Sequence, residues 1–189
     1  PVGEGSMSVD VGHASHRRVE RIVAYRWTHE VYRCHTVKNE DGSSSEKCDW
    51  DEVESQKGEI PFILHDGTGG LKIETNTFKR RDWGQHIKIW ESNHDNNIGR
   101  ELFGQVASQL LHGGRIKKHR WTVWALRLGD PVYLLGNTVS RTDAEIDAEG
   151  MVRSKQHQLL KVVGEDAPGV RAEIRRGTEL SNIGRMRSG

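Results

Sequence analysis

The sequence predicts a mainly β-sheet domain, and three observations carry that prediction. Apolar residues alternate with polar ones over short runs, the pattern of half-buried strands. Val19, Val23, Tyr25 and Trp27 recur on one expected face, and so do Ile60, Phe62 and Leu64. The runs are punctuated by turn residues, and glycine is abundant at 21 of 189 positions, as short strands and tight connections require. Helical spacing is clear in only one internal stretch.

Taken in order, residues 1–18 (PVGEGSMSVDVGHASHRR) are polar, rich in Gly and Ser, and without a sustained period. They are expected to be a flexible lead-in. A strand rich in Val, Ile, Tyr and Trp follows from Val19 to Val37, then an exposed loop over 39–47 (NEDGSSSEK), then a strand from Cys48 to Val53 that pairs back. Residues 58–75 (GEIPFILHDGTGGLKIET) predict a β-hairpin, with Leu71 and Ile73 alternating after a turn whose glycines tolerate positive φ. A further strand surrounds Ile87, Ile89 and Trp90, and residues 92–97 read as a turn. Leu102, Phe103, Val106, Leu110 and Leu111 predict an inserted amphipathic helix over about 98–112, capped by Asn97 and ended by Gly113 and Gly114. Strands resume at 119–126, 131–139, Leu159–Val163 and Val170–Ile174. The stretch TELSNIGRMR predicts a short C-terminal helix with Leu180 and Ile183 on one side. These elements describe a single small antiparallel β-barrel over 19–176, OB-like in its strand–DGTG–strand and later GDPVYLLG pieces, with a tail at 177–189.

Composition narrows the function. Lys plus Arg number 28 against 27 Asp plus Glu, a formal charge of +1, whereas dedicated nucleic-acid binders carry a clear basic excess. No apolar run approaches the roughly 18 residues of a spanning helix, and no secretory leader pattern is present. With two cysteines, a four-cysteine zinc site within one chain is excluded. A Cys34–Cys48 bond and two free thiols both fit the sequence.

Catalytic and metal signals are weak. The best metal-ligand grouping is His29, Cys34, His35 and Cys48, but neighbours on a strand point to opposite faces, which separates Cys34 from His35. The same divergence argues against a Cys34–His35 dyad. No nucleophile elbow occurs, and Asp49, Asp51, Glu52 and Glu54 read as a solvated strand edge. The DGTGG loop lacks the Lys and following helix of a phosphate cradle and reads as a turn. So does Gly129-Asp130, with Gly136 a bulge or close-approach position. No catalytic residue, metal or cofactor is expected.

The candidate binding residues are two basic–aromatic groups. Lys79, Arg80 and Arg81 precede Trp83; Arg115, Lys117, Lys118 and Arg120 precede Trp121. Cations that neutralise phosphates beside rings that stack bases make a single-stranded DNA or RNA groove, the alternative to a protein-binding role.

Two short motifs add a resemblance. Pro61, Phe62, Asp66, Gly67, Thr68 and Gly69 lie in PFILHDGTGGLKI, and Gly129, Asp130 and Gly136 in GDPVYLLG. Preceded by the Tyr25/Trp27 strand and Trp50, they make the chain similar, over roughly 20–185, to the GIDE domain, also called the BAM ("beside a membrane") domain. That family includes the region between the two transmembrane helices of mitochondrial membrane-anchored ubiquitin ligases, and prokaryotic relatives without a RING. The segment 78–118 is longer than the family pattern, and no RING ligands are present. The resemblance implies a non-catalytic extramembrane interaction or sensing module with a protein partner. Cations around Leu180, Ile183 and Met186 suit a tail leading to a membrane helix, each contributing about 1 kcal/mol near anionic headgroups.

Overall fold

The computed structural model describes residues 1–65, 67, 69–94, 114–148 and 160–178. The protein is mainly β, with one sheet curled into a half-barrel and little helix among the described residues. The expected helices at 98–112 and in the C-terminal stretch lie outside those residues, as do Asp66 and Thr68.

The largest sheet is built on β3 (Arg18–Lys38). It pairs antiparallel with β2 (Met7–Asp10) at its start, with β4 (Ser44–Glu59) along one edge and with β9 (Arg115–Arg127) along the other. Outside β9 lies β8 (Lys88–Asn93). A second sheet runs β1 (Val2–Glu4), β5 (Phe62–His65), β6 (Gly70–Ile73), β12 (Leu160–Val163), β11 (Asn137–Ser140). A third has β13 (Glu173–Arg176) between β10 (Val132–Leu135) and β7 (Arg80–Asp82). The β6–β12 and β7–β13 pairs are parallel, so the expected all-antiparallel pairing is corrected to a mixed one.

The hairpin forms as read, with Phe62 opposite Ile73 and Leu64 opposite Leu71; Gly67 has φ 98°. Elsewhere the structure corrects the expectation. Residues 1–18 carry two strands and two short 3-10 turns, because their few apolar side chains are buried: Val2 enters one core and Val11 another. Strand β4 begins at Ser44 rather than Cys48, its first part being a polar edge whose composition imitates a loop. The last strand starts at Glu173, leaving Val170 exposed. The predicted strand 131–139 is two strands divided at Gly136, where a Cβ would lie 2.8 Å from the Val163 carbonyl oxygen. A one-turn helix, α1 (Asp143–Ala148), was not expected, although Thr142 and Glu145 spell a capping box: the Thr142 N–H donates to Glu145 at 2.8 Å.

Two cores result. The first gathers Val23, Ala24, Phe62, Ile73, Phe78, Leu126, Val162 and Ile174; the second Val11, Val19, Ile22, Tyr25, Trp27, Trp121, Val123 and Ala125. Val23 thus leaves the face expected to hold Val19, Tyr25 and Trp27. Arg21 has φ 56° and the pairing register shifts between Ile22 and Ala24, so a bulge rotates the strand there.

The segments 61–73 and 129–136 meet in one unit. Strand β1 pairs with β5, the Gly129 N–H donates to the Val2 carbonyl at 2.8 Å, and the Val2 N–H donates to the Asp130 carbonyl at 3.1 Å. Asp130 Oδ2 also accepts the Arg127 N–H at 2.9 Å and meets Arg176 at 3.1 Å, tying the β9–β10 turn to β13. Hydrogen bonds to a charged group contribute about 1.5–3 kcal/mol, so Asp130→Ala is expected to cost about 2–3 kcal/mol in denaturant unfolding. A loss under about 0.5 kcal/mol would show that the turn holds without the carboxylate.

Candidate functional site

A cleft of 360 Å³ opens where the first core ends and the large sheet emerges from beneath it. Its sheet wall is one row of paired residues, Lys57 on β4, Arg26 on β3 and Trp124 on β9, which the register places side by side. Trp124 packs partly on the first core, and the Arg26 guanidinium lies 5.6 Å from its ring centroid. Tyr25 and Gly58 are also opposite each other; a Cβ at Gly58 would sit 2.5 Å from the Tyr25 ring, so glycine makes room for it. Burial raises the Tyr25 phenol pKa.

The opposite wall comes from the segment around β7. Phe78, fully buried, anchors it. Arg81 clamps it: its guanidinium donates to the Phe78 carbonyl at 2.5 Å, to the Asn76 carbonyl at 3.4 Å, and to the Glu59 carboxylate. Asp82 Oδ1 accepts the Gly84 N–H at 2.7 Å, shaping a turn in which Gly84 takes φ 71°. Lys79, Arg81 and Trp83 consequently line the cleft, Trp83 with only 8% of its surface exposed. Arg26, Lys57, Lys79 and Arg81 line the cleft with Glu59 and Asp82, and Glu52 meets Arg26 at 3.5 Å, which leaves a local excess of one positive charge.

The structure sorts the sequence candidates unevenly. Of the first group, Arg80 turns away, paired with Asp166 at 2.8 Å, whereas its three companions reach the cleft. The second group does not make a stacking surface. Trp121 is 3% exposed and points to the opposite sheet face from Arg120 and Trp124. Lys117 pairs with Glu46 at 2.7 Å; Arg115 and Lys118 are exposed. Arg120 grips Glu30 with two hydrogen bonds of 2.9 Å and lies 4.1 Å from the Trp50 centroid; the hydrogen bond raises its pKa. Arg26, Lys57 and Trp124 were missed as site residues because only strand register unites them.

Under the other face lies a histidine stack. His29 Nε2 is 2.9 Å from His119 Nδ1, and His119 Nε2 is 2.8 Å from His94 Nδ1. The Trp121 ring lies 4.6 Å from the His29 ring, nearly parallel to it, and the buried Arg17 guanidinium is 3.9 Å from its centroid. Burial, then the neighbouring histidine, then Arg17 lower the His29 pKa to about 3; burial, His94 and Arg17 lower that of His119 to about 4.

Cys34 and Cys48, opposite each other on β3 and β4, form a disulfide. Glu46 offers a third ligand atom within 4.8 Å of both sulfurs, but bonded sulfurs are not thiolate ligands. No described helix is long and apolar enough to cross a membrane.

Against protein-family models, curated proteins and solved structures, this chain finds no match.

The histidines set a pH dependence. Both fold with pKa values below the unfolded value of 6.5, so the unfolded chain binds more protons from 6.5 down to about 4 for His119 and about 3 for His29. Stability is therefore complete above 6.5 and falls as pH drops through that window. The urea midpoint is expected to decline from pH 7 to pH 5, before most carboxylates titrate. A flat midpoint would contradict two buried neutral imidazoles.

Proposed function

We propose that this chain is a non-catalytic interaction or sensing module of GIDE type, OB-like in its curled sheet, that sits beside a membrane and holds an anionic partner in the cleft. One observation carries the reading: Arg26, Lys57 and Lys79, from three separate segments, converge on a half-buried tryptophan. The chemistry of the lining is that of holding. Among the described residues around the cleft, none is a serine, cysteine or histidine. The two carboxylates are engaged, Glu59 by Arg81 and Asp82 by the Gly84 N–H, which suits neither for general acid–base work.

The membrane-adjacent part rests on the two motifs. That 61–73 and 129–136 join through β1 into one unit supports reading them together rather than as separate chance matches. Single-stranded nucleic acid fits less well, since Trp121 is covered and Lys117 and Arg120 are already paired with carboxylates.

Two outcomes test this. Titrated calorimetrically with inorganic tripolyphosphate at low salt, the protein is expected to bind, and the double variant Lys57→Glu, Lys79→Glu to bind at least about tenfold more weakly. No binding by the unaltered protein would remove the anion-holding role. The native reading frame is expected to encode an apolar helix of about 20 residues near this domain, and its absence would remove the membrane setting.

A further inference from the structure

The cleft is small, aromatic on one wall and cationic at its rim, and those features together define a ligand. A volume of 360 Å³ lies within the roughly 300–1,000 Å³ of ordinary small-molecule sites. Trp124 is only partly buried and stands between the first core and the cleft, so it offers a ring to a flat apolar group. Arg26 stands next to that ring, Lys57 lies one strand further along the row on β4, and Lys79, from the segment before β7, lines the same cleft. A second hollow of 170 Å³ shares Arg26 and Lys57 with the first. Ring and anion sites are thus adjacent, and the anion site has room on two sides.

The surface beyond limits the length of the ligand. Along the same sheet face, register places Glu52, Glu30, Arg120 and Glu91 in one row across four strands. Even with Glu52 meeting Arg26 at 3.5 Å and Glu30 held by Arg120, the row brings three carboxylates against one guanidinium of its own and disfavours a chain of phosphates running that way. A compact anion fits; an extended polyanion does not.

We propose that the cleft binds a mononucleotide, its base stacked on Trp124 and its phosphates held by Lys57, Arg26 and Lys79. This rests on the reading of the cleft as an anion-holding site and adds the ring to it. Stacking tolerates any base, because every base presents a π-face, so selectivity among bases is expected to be slight. Affinity falls with salt, since the phosphate contacts are charged.

The test compares ADP, UDP, tripolyphosphate, adenosine and a single-stranded 12-mer by calorimetry at low salt. ADP and UDP are expected to bind at least about tenfold more tightly than either tripolyphosphate or adenosine, because only they use both halves of the site. Trp124→Leu is expected to abolish that advantage while tripolyphosphate affinity stays within about twofold. Trp124→Phe, which keeps a ring, is expected to retain it and serves if the leucine variant does not fold. Equal binding of ADP and tripolyphosphate overturns the mononucleotide proposal and leaves the anion-holding reading standing. Binding by neither overturns both. Tighter binding of the 12-mer than of ADP also overturns the proposal, and puts a polymer track in its place.

Discussion

Both main hydrophobic cores draw on β3, and they can do so because its side-chain alternation is broken twice between Val19 and Tyr25. With an unbroken period of two, Val19, Val23, Tyr25 and Trp27 would share a face. Instead Arg21 takes φ 56° and the register shifts before Ala24, sending Val23 and Ala24 to the first core and Val19, Ile22, Tyr25 and Trp27 to the second. Two irregular steps close together let a 21-residue strand be covered on one face by residues 7–17 and on the other by the smaller sheets. Positive φ at a non-glycine residue is strained, and burial on both faces offsets that cost.

What the sequence made legible follows from the same physics. Strands β5, β6, β9 and β12 could be read because their apolar residues keep a local period and end at glycine or turn residues. The first half of β4 could not, since a charged edge strand and a solvated loop have the same composition, and only pairing with β3 separates them. Residues 1–10 were misread because so few side chains anchor them; Val2 and the backbone bonds to Gly129 and Asp130 hold β1. Half of the cleft was visible as Lys79, Arg81 and Trp83. Its other half, Arg26, Lys57 and Trp124, spans about a hundred residues of sequence and exists only in the register. Trp121 was misjudged for a related reason: basic neighbours mark a segment, but parity decides which face a ring takes.

The second core adds a constraint of its own. His29, His119 and Trp121 stack nearly parallel beneath Arg17, whose guanidinium donates to the Val11 and Gly12 carbonyls. Burial first, then the neighbouring histidine and the packed Arg17 cation, disfavour a charge there, so the imidazoles fold neutral and behave as flat aromatic filler. Gly12 lies so close that a Cβ would meet the Trp121 ring nitrogen at 2.4 Å, which explains why the 3-10 turn above the stack is glycine-bearing. The face is sealed by chain that composition alone assigned to a loose leader.

The cleft is the complement of that sealing. The second core closes its sheet face along Tyr25, Trp27 and His29, whereas the first core covers the other face only as far as Ala24 and Leu126. The next row, Lys57–Arg26–Trp124, is therefore half covered, and Arg81 holds the β7 segment at that border by bonding to Glu59, Phe78 and Asn76. A tryptophan at the edge of a core buries part of its ring and leaves the rest wet, which stabilises the fold and exposes ring surface on the same side chain. The charged residues of the row cannot enter the core, so they gather at the margin where water still reaches them. The shape of the cleft thus arises from where the packing stops, and the residues that end the core are the ones that line it.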